Sequence, residues 1–157
     1  MQKIIPFLWF NGQAEEAMNF YTSIFKNSKV LSVARYGDAG PGPKGSVMTA
    51  QFEVEGHQFV ALNGGPQYTF TPAVSFLVNC TTQDEVDHLW DRLSAGGQEM
   101  PCGWVTDKFG LTWQVIPTLL PELLTGRDPQ KAQRVMQAML QMKKIDIAAL
   151  RRAHDQA

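Results

Sequence analysis

The sequence predicts an α+β protein made of two tandem β-α-β-β-β halves and a helical C-terminal extension. Short apolar runs of strand length alternate with amphipathic stripes of helical spacing, and their order is the same in both halves. We place the first half at residues 1–66, the second at 67–117 and the extension at 118–157. The length of 157 residues fits one domain, so we expect residues 1–157 to form a single one.

The first half begins with a short apolar run that is long enough for a buried strand but not for a helix. Asn11-Gly12 follows as a turn and a candidate helix N-cap, and apolar residues then recur at helical spacing. A Gly/Pro-rich stretch after the next strand predicts a mobile loop. The predicted segments are a strand at Ile4–Phe10, a helix at Ala14–Phe25, a strand at Val30–Tyr36, a loop at Gly37–Gly45 and a hairpin of Ser46–Glu55 with Gln58–Asn63.

The second half repeats this order. Thr82-Gln83-Asp84-Glu85 is a capping-box pattern that predicts a helix start, and Gly96-Gly97 predicts its end. The predicted strands are Val74–Cys80, Gly97–Met100, Gly103–Thr106 and Thr112–Ile116. Sliding the chain by 69 residues aligns the halves, so that Phe7 meets Phe76 and Tyr21 meets Trp90. We therefore interpret the chain as an internal duplication.

The C-terminal extension has its own helical signals. Asp128-Pro129 is a favourable helix opening, and a stripe containing Met136 and Met139 follows it. A second short helix is predicted to start within Ile145–Leu150. We expect the methionine stripe to pack against the domain or a second subunit.

Composition and charge exclude several classes of function. The formal net charge is −1, and no segment gathers Lys or Arg densely enough to attract nucleic acid or an anionic membrane. No apolar run reaches the ~20 residues that span a bilayer, and the N-terminus lacks a signal pattern. The two cysteines do not make a disulfide framework or a zinc site, so we expect a cytoplasmic protein.

Four segments carry a family resemblance: Phe20-Tyr21, Leu62–Pro66, Cys102–Pro117 and the tail Met139–Leu150. Together they resemble the vicinal-oxygen-chelate (glyoxalase, bleomycin-resistance and dihydroxybiphenyl-dioxygenase) superfamily, and within it the PhnB-like branch. Members of that branch often carry the label 3-demethylubiquinone-9 3-methyltransferase domain. S-Adenosylmethionine enzymes place a glycine-rich turn between a strand and a helix, whereas the glycine clusters here precede strand-like residues.

The resemblance also implies positions for a metal, because enzymes of this superfamily hold a divalent ion with His, Gln and Glu side chains on the first and last strands of each half. Here these positions fall near Pro6, at Ala61–Asn63, at Ala73–Ser75 and at Gln114. None of them is His, Asp or Glu, and neutral amides are poor ligands for a transition metal without an anion beside them. The three histidines read as surface residues. We therefore expect no metal site and no cofactor.

Aromatic and amide side chains remain as binding candidates. In this fold each half is expected to curl into a cup, so that alternate strand residues line a cavity. Core filling is the other interpretation of the aromatics. The candidate ligand-binding residues are Trp9, Asn63, Trp104, Trp113 and Gln114.

Cys102 is the weak catalytic candidate. Lys108 lies across the predicted turn and would lower the thiol pKa if it came close. A half-buried structural cysteine beside Trp104 is the alternative, and Asp107 is expected to shape the turn.

Two functions are compatible with these residues. The first is a metal-free small-molecule binding protein for an apolar or aromatic ligand, with a homodimer expected by analogy. The second is an enzyme of the same fold that acts on a small aromatic or quinone-like substrate. It would be a lyase, a dioxygenase or a transferase-like protein, including the 3-demethylubiquinone methyltransferase of the family label. Fold alone does not separate them.

Overall fold

The computed structural model describes residues 2–156 and confirms the α+β class. The chain divides into two compact units between Phe70 and Thr71, four residues after the predicted boundary between the halves. Each unit contains one four-stranded mixed sheet. Among residues 2–156 no helix has both the length and the apolar character needed to cross a membrane.

The first unit has the predicted order of strand, helix and three strands. Its strands lie in the order β1-β4-β3-β2, with β1 parallel to β4 and the other pairs antiparallel. The parallel pair forms because α1 carries the chain across the sheet between the first two strands. The elements are β1 Phe7–Phe10, α1 Ala14–Ile24, β2 Ser28–Arg35, β3 Val47–Val54 and β4 His57–Asn63.

The second unit repeats this topology and adds the C-terminal helices. Its strands lie in the order β5-β8-β7-β6, again with a parallel pair, β5 and β8. The capping box is seen at Thr82, whose hydroxyl accepts a hydrogen bond from Glu85 N–H. The elements are β5 Ser75–Cys80, α2 Gln83–Ser94, β6 Gln98–Glu99, β7 Trp104–Thr106, β8 Thr112–Pro117, α3 Leu119–Leu124, α4 Pro129–Leu140 and α5 Ile147–Asp155.

One face of the first sheet is buried under α1. Tyr21 of this helix stacks on Phe52 with ring centroids 6.1 Å apart, and Phe52 stacks on Phe59 at 5.6 Å. Leu8 and Phe10 of β1 are buried as well. Because side chains alternate along a strand, Trp9 lies on the opposite face of the sheet from α1.

The C-terminal helices are an integral part of the second unit. Their apolar side chains form a cluster with Ile116, and Met139 and Met142 pack against it, as expected of the methionine stripe. The Gln83 side chain holds the start of the last helix: its amide nitrogen donates to Ile145 O at 3.0 Å and its oxygen accepts from Ile147 N–H at 2.8 Å. The buried cluster consists of Ile116, Leu120, Val135, Ile145 and Leu150.

Several predicted boundaries were wrong. The strand predicted at Val30–Tyr36 begins two residues earlier and ends before Tyr36. The strand predicted at Gly97–Met100 is only two residues long, because the chain turns at Pro101 into a short 3-10 segment. Helix α3 was not predicted, because its six residues include Pro121 and show no clear periodicity. Asn11 is not the N-cap of α1; that position is Gln13, which makes no side-chain capping hydrogen bond.

Candidate functional site

A cavity of about 500 Å³ in the first unit lies between the start of α1, the glycine- and proline-rich loop and the ends of β3 and β4. Of the candidate residues, only Asn63 lines it. Trp104, Trp113 and Gln114 belong to the second unit. The lining residues are Asn11, Gly12 and Glu15 before and within α1, Tyr36, Pro41, Gly42, Pro43 and Ser46 around the loop, and Val47, Asn63, Gly64 and Gly65 at the strand ends.

Asn63 ties three parts of the first unit together at this cavity. Its Oδ1 accepts a hydrogen bond from Ala14 N–H at 2.9 Å, and its Nδ2 donates to Val47 O at 3.1 Å. Its main-chain oxygen accepts a hydrogen bond of 2.6 Å from the Tyr36 hydroxyl. Asn63 therefore caps α1 from a distant strand. The side chain expected to orient a ligand is already used in holding the cavity wall together.

We expect Asn63→Ala to lower the free energy of unfolding by about 1–2 kcal/mol, because Ala14 N–H and Val47 O each lose a partner. Urea unfolding monitored by circular dichroism measures this loss. The matched control is Asn19→Ala at an exposed position within α1, where alanine favours the helix. An equal effect of the two substitutions would contradict the capping role.

The loop after β2 is built around the ring of Tyr36, which is 7% exposed. A Cβ atom added at Gly40 or Gly42 would come within 2.5 Å and 2.4 Å of that ring, respectively. Two main-chain hydrogen bonds close the loop: Tyr36 N–H donates to Ser46 O, and Gly45 N–H donates to Tyr36 O, both at 2.8 Å. The glycines therefore allow the loop to enclose an aromatic ring that forms one wall of the cavity.

Trp9 supports the wall without lining it. Its indole N–H donates to Gly65 O at 2.9 Å, and its ring packs edge-on against Tyr68 at a centroid distance of 4.9 Å. A Cβ atom at Gly64 would lie 2.4 Å from the indole ring. Trp9 therefore fixes the path of Gly64-Gly65, which do line the cavity.

In the second unit the register separates the two candidate tryptophans. Trp104 pairs with Gln114 across β7 and β8, so these two side chains share one face of the sheet. Trp113 pairs with Val105 and therefore lies on the other face, 4% exposed, with Phe76 at 5.6 Å. The expectation that Trp104 and Trp113 line one cavity together is corrected: Trp113 fills the core, as the alternative interpretation had it.

Asp107 shapes the turn between β7 and β8, as expected. It is 2% exposed. Its Oδ1 accepts from Phe109 N–H at 2.9 Å and from Leu111 N–H at 3.1 Å, and its Oδ2 accepts from the Trp113 indole N–H at 2.9 Å. A buried carboxylate with three donors has a structural role in this turn.

The two cysteines differ in environment. Cys102 is partly exposed and adopts a left-handed backbone conformation with φ of 64°, held by its N–H donating to Met142 O. The ammonium group of Lys108 lies over the Phe109 ring, 5.3 Å from its centroid. Burial, together with the nearby Glu85 carboxylate, raises the pKa of the Cys80 thiol to about 12. Cys80 is therefore a protonated core residue at neutral pH.

The residues at the positions that the resemblance assigns to a metal do not fit one. Asn63 is hydrogen-bonded through both amide atoms, and Gln114 Nε2 donates to Ser75 Oγ at 2.9 Å. None of the other positions in this set carries a carboxylate or an imidazole. Within residues 2–156, no three His, Cys, Asp or Glu side chains are grouped closely enough to hold an ion.

Among the described residues that line the cavity, Glu15 is the one with a formal charge. Its nearest cation is Arg35, with Nη2 and Oε2 3.9 Å apart, and its side chain is 47% exposed. The sequence analysis did not select Glu15, because the helical pattern placed this residue on the polar side of α1. It also missed Asn11 and Tyr36, since the loop that brings them together has no periodic signal.

Comparisons with known proteins agree with this architecture. Residues 2–116 match the family model described as 3-demethylubiquinone-9 3-methyltransferase. A PhnB protein from Bacillus cereus is 41% identical with a TM-score of 0.68, over 74% of this chain and 100% of its own. A protein from Pseudomonas aeruginosa is 26% identical with a TM-score of 0.61, over 74% and 98%.

A more distant solved structure shares the fold alone. The fosfomycin resistance protein FosX from Listeria monocytogenes is 16% identical with a TM-score of 0.54, over 78% of this chain and 97% of its own. No curated protein sequence matches the chain.

Proposed function

This chain belongs to the PhnB-like branch of the vicinal-oxygen-chelate superfamily, and from that premise we propose that it is a small-molecule binding protein whose site is the cavity of the first unit. The observation that carries the proposal is the cavity itself. Its volume of about 500 Å³ is within the range of small-molecule sites, and its walls combine polar and apolar surface in about equal parts.

We propose binding without a metal, because the positions expected to hold one carry neutral, engaged amides. We do not propose that this chain transfers methyl groups, although the family description names that activity. One glycine cluster, Gly37–Gly45, joins the antiparallel strands β2 and β3, and the other, Gly64-Gly65, follows β4. Neither is the strand-to-helix turn that S-adenosylmethionine enzymes place against their cofactor.

An enzyme that uses Cys102 is the alternative function. The thiol needs a nearby cation to become a good nucleophile. Lys108, the cation considered for this role, has its ammonium group over Phe109. This placement supports a binding protein over a thiol enzyme. Trp104 and Gln114, which share a face of the second sheet, are retained as a separate proposed ligand-contacting surface.

We also propose a cytoplasmic homodimer without nucleic-acid or membrane partners. The edge strand β2 supports the dimer, because in the described part of the chain it pairs with β3 and has no strand on its other side. Its Val30 and Val33 are 49% and 36% exposed. Such an edge favours pairing with a second chain. A monomeric mass in light scattering at micromolar concentration would rule this dimer out.

Ligand binding in the cavity can be tested by a substitution that blocks the entrance. Asn11 lines the cavity and is exposed, so Asn11→Phe introduces an aromatic ring there with little effect on the core. A panel of small aromatic and quinone-like compounds is screened by thermal shift, and hits are titrated by calorimetry. We expect Asn11→Phe to weaken each hit by about tenfold or more, since a tenfold change corresponds to about 1.4 kcal/mol.

The matched control is Asn27→Phe, at an exposed position just beyond the other end of α1 and away from the cavity. It should bind the same hits as the wild type. Equal affinities of the wild type and Asn11→Phe for every hit would show that the ligand binds elsewhere.

A further inference from the structure

We infer that the ligand of the first-unit cavity carries a cationic nitrogen that donates hydrogen bonds to Glu15; this inference rests on the proposed function. The inference rests on which polar atoms of the lining are not already hydrogen-bonded within the protein and can therefore bind a ligand. Tyr36, Ser46 and Asn63 already donate to groups of the protein itself, which leaves the amide of the exposed Asn11 as the chief side-chain donor of the described lining. Away from Asn11, the side chains offer a ligand mainly acceptors.

Three donor side chains of the lining are engaged as follows. The Tyr36 hydroxyl donates to Asn63 O at 2.6 Å, and the Ser46 hydroxyl donates to Pro43 O at 2.6 Å. One N–H of the Asn63 amide donates to Val47 O. A ligand that presented mainly acceptors would find few partners here, and an unpaired polar group in a cavity is costly.

Glu15 provides the strongest available acceptor. Within the described part of the chain its carboxylate has no hydrogen-bond donor, because Arg35 Nη2 is 3.9 Å from Oε2, beyond hydrogen-bond distance. Another nitrogen of Arg35, Nη1, donates to Gly45 O at 3.2 Å, which holds the guanidinium at the loop. Arg35 does not line the cavity, whereas Glu15 does.

The N-terminus of α1 acts in the opposite sense, since a helix start carries about half a positive charge and attracts anions. Its first N–H group, that of Ala14, is already satisfied by Asn63. Arg35 offsets part of the Glu15 charge from outside the lining, where Gly45 O holds its guanidinium. The Glu15 carboxylate keeps its hydrogen-bonding capacity, so a cationic donor is the ligand group that it favours. Pro41, Pro43 and Val47 supply apolar surface for the rest of the ligand.

Three compounds of one shape and different charge test this inference: benzylammonium, benzyl alcohol and benzoate, titrated by ligand-observed NMR. We expect benzylammonium to bind the wild type most tightly and its affinity to fall with added salt. Glu15→Gln should weaken benzylammonium by about three- to fivefold, the worth of a partly exposed ion pair, and leave benzyl alcohol unchanged. Asp84→Asn is the matched control, because Asp84 is exposed in the first turn of the corresponding helix α2.

The outcomes separate this inference from the proposed function. If benzyl alcohol or benzoate binds as tightly as benzylammonium and Asn11→Phe blocks them all, the cavity binds ligands but the inference is wrong. An equal effect of Glu15→Gln and Asp84→Asn on benzylammonium would also overturn it. If none of the three compounds binds and no compound of the wider panel responds to Asn11→Phe, both proposals fail.

Discussion

Replacing Asp107 by alanine should lower the free energy of unfolding by about 3–4 kcal/mol. The substitution removes the acceptor for three N–H groups, those of Phe109, Leu111 and the Trp113 indole. Leu111 is 2% exposed and Trp113 is 4% exposed, so water does not replace the lost acceptor readily. Each buried donor left unsatisfied costs about 1–3 kcal/mol. Because the three donors lie in one turn, their losses are not independent, and the total loss is smaller than the sum of the three.

Urea unfolding followed by tryptophan fluorescence measures this loss, because Trp113 reports on the turn directly. Asp107→Asn keeps one acceptor but turns an amide N–H towards a donor, so we expect an intermediate loss. Asp38→Ala is the control, since Asp38 is 85% exposed and its ion-pair partner within residues 2–156 is the exposed Lys44. A loss below about 1 kcal/mol for Asp107→Ala would show that the three hydrogen bonds do not hold the turn.

We expect Gly97→Ala to lower the free energy of unfolding by about 3 kcal/mol. A Cβ atom at this position would lie 2.0 Å from Thr106 O and 2.8 Å from the carbonyl carbon of Asp107. Both are main-chain atoms, so no side-chain rotation relieves the overlap. The pairing of β6 with β7, which consists of Gln98 with Thr106 and Glu99 with Val105, would have to open.

Gly37→Ala is the matched control, because Gly37 has no atom within 4 Å of an added Cβ and does not have a positive φ. We expect it to change stability by no more than about 0.5 kcal/mol. Hydrogen exchange in Gly97→Ala should show loss of protection at the Thr106 amide, which faces β6, and not at the Val105 amide, which faces β8. Unchanged protection at Thr106 would mean that the backbone accommodates the methyl group in another way.

The sequence predicted those parts of the fold that local patterns determine. The capping box at Thr82 marked the start of α2, and the 69-residue offset aligned the first strand and helix of each half. The offset fails at the last strand: Phe7 pairs with Val60 and Phe76 with Trp113, and Val60 and Trp113 are only 53 positions apart. The second half is shorter between its helix and last strand, and one fixed offset cannot represent a deletion.

The candidate site was less accessible to prediction, because its geometry depends on long-range contacts. Alternation along β8 predicts that Trp113 and Gln114 lie on opposite faces of the sheet. Which of the two shares a face with Trp104 depends on the register between β7 and β8 across the turn at Asp107, and the sequence does not reveal that register. Glu15 became a cavity residue only because the loop after β2 encloses Tyr36 and comes to face α1. No local pattern contains that information.

The cap that Asn63 provides has a consequence for how the first unit folds. Its hydrogen bond to Ala14 joins residues 49 positions apart, so the start of α1 is stabilised only after β4 has reached its place beside β1. An isolated helix of eleven residues is marginal in water. The helix and the sheet must therefore form together, and the entropy of closing the intervening loop limits how fast they do so.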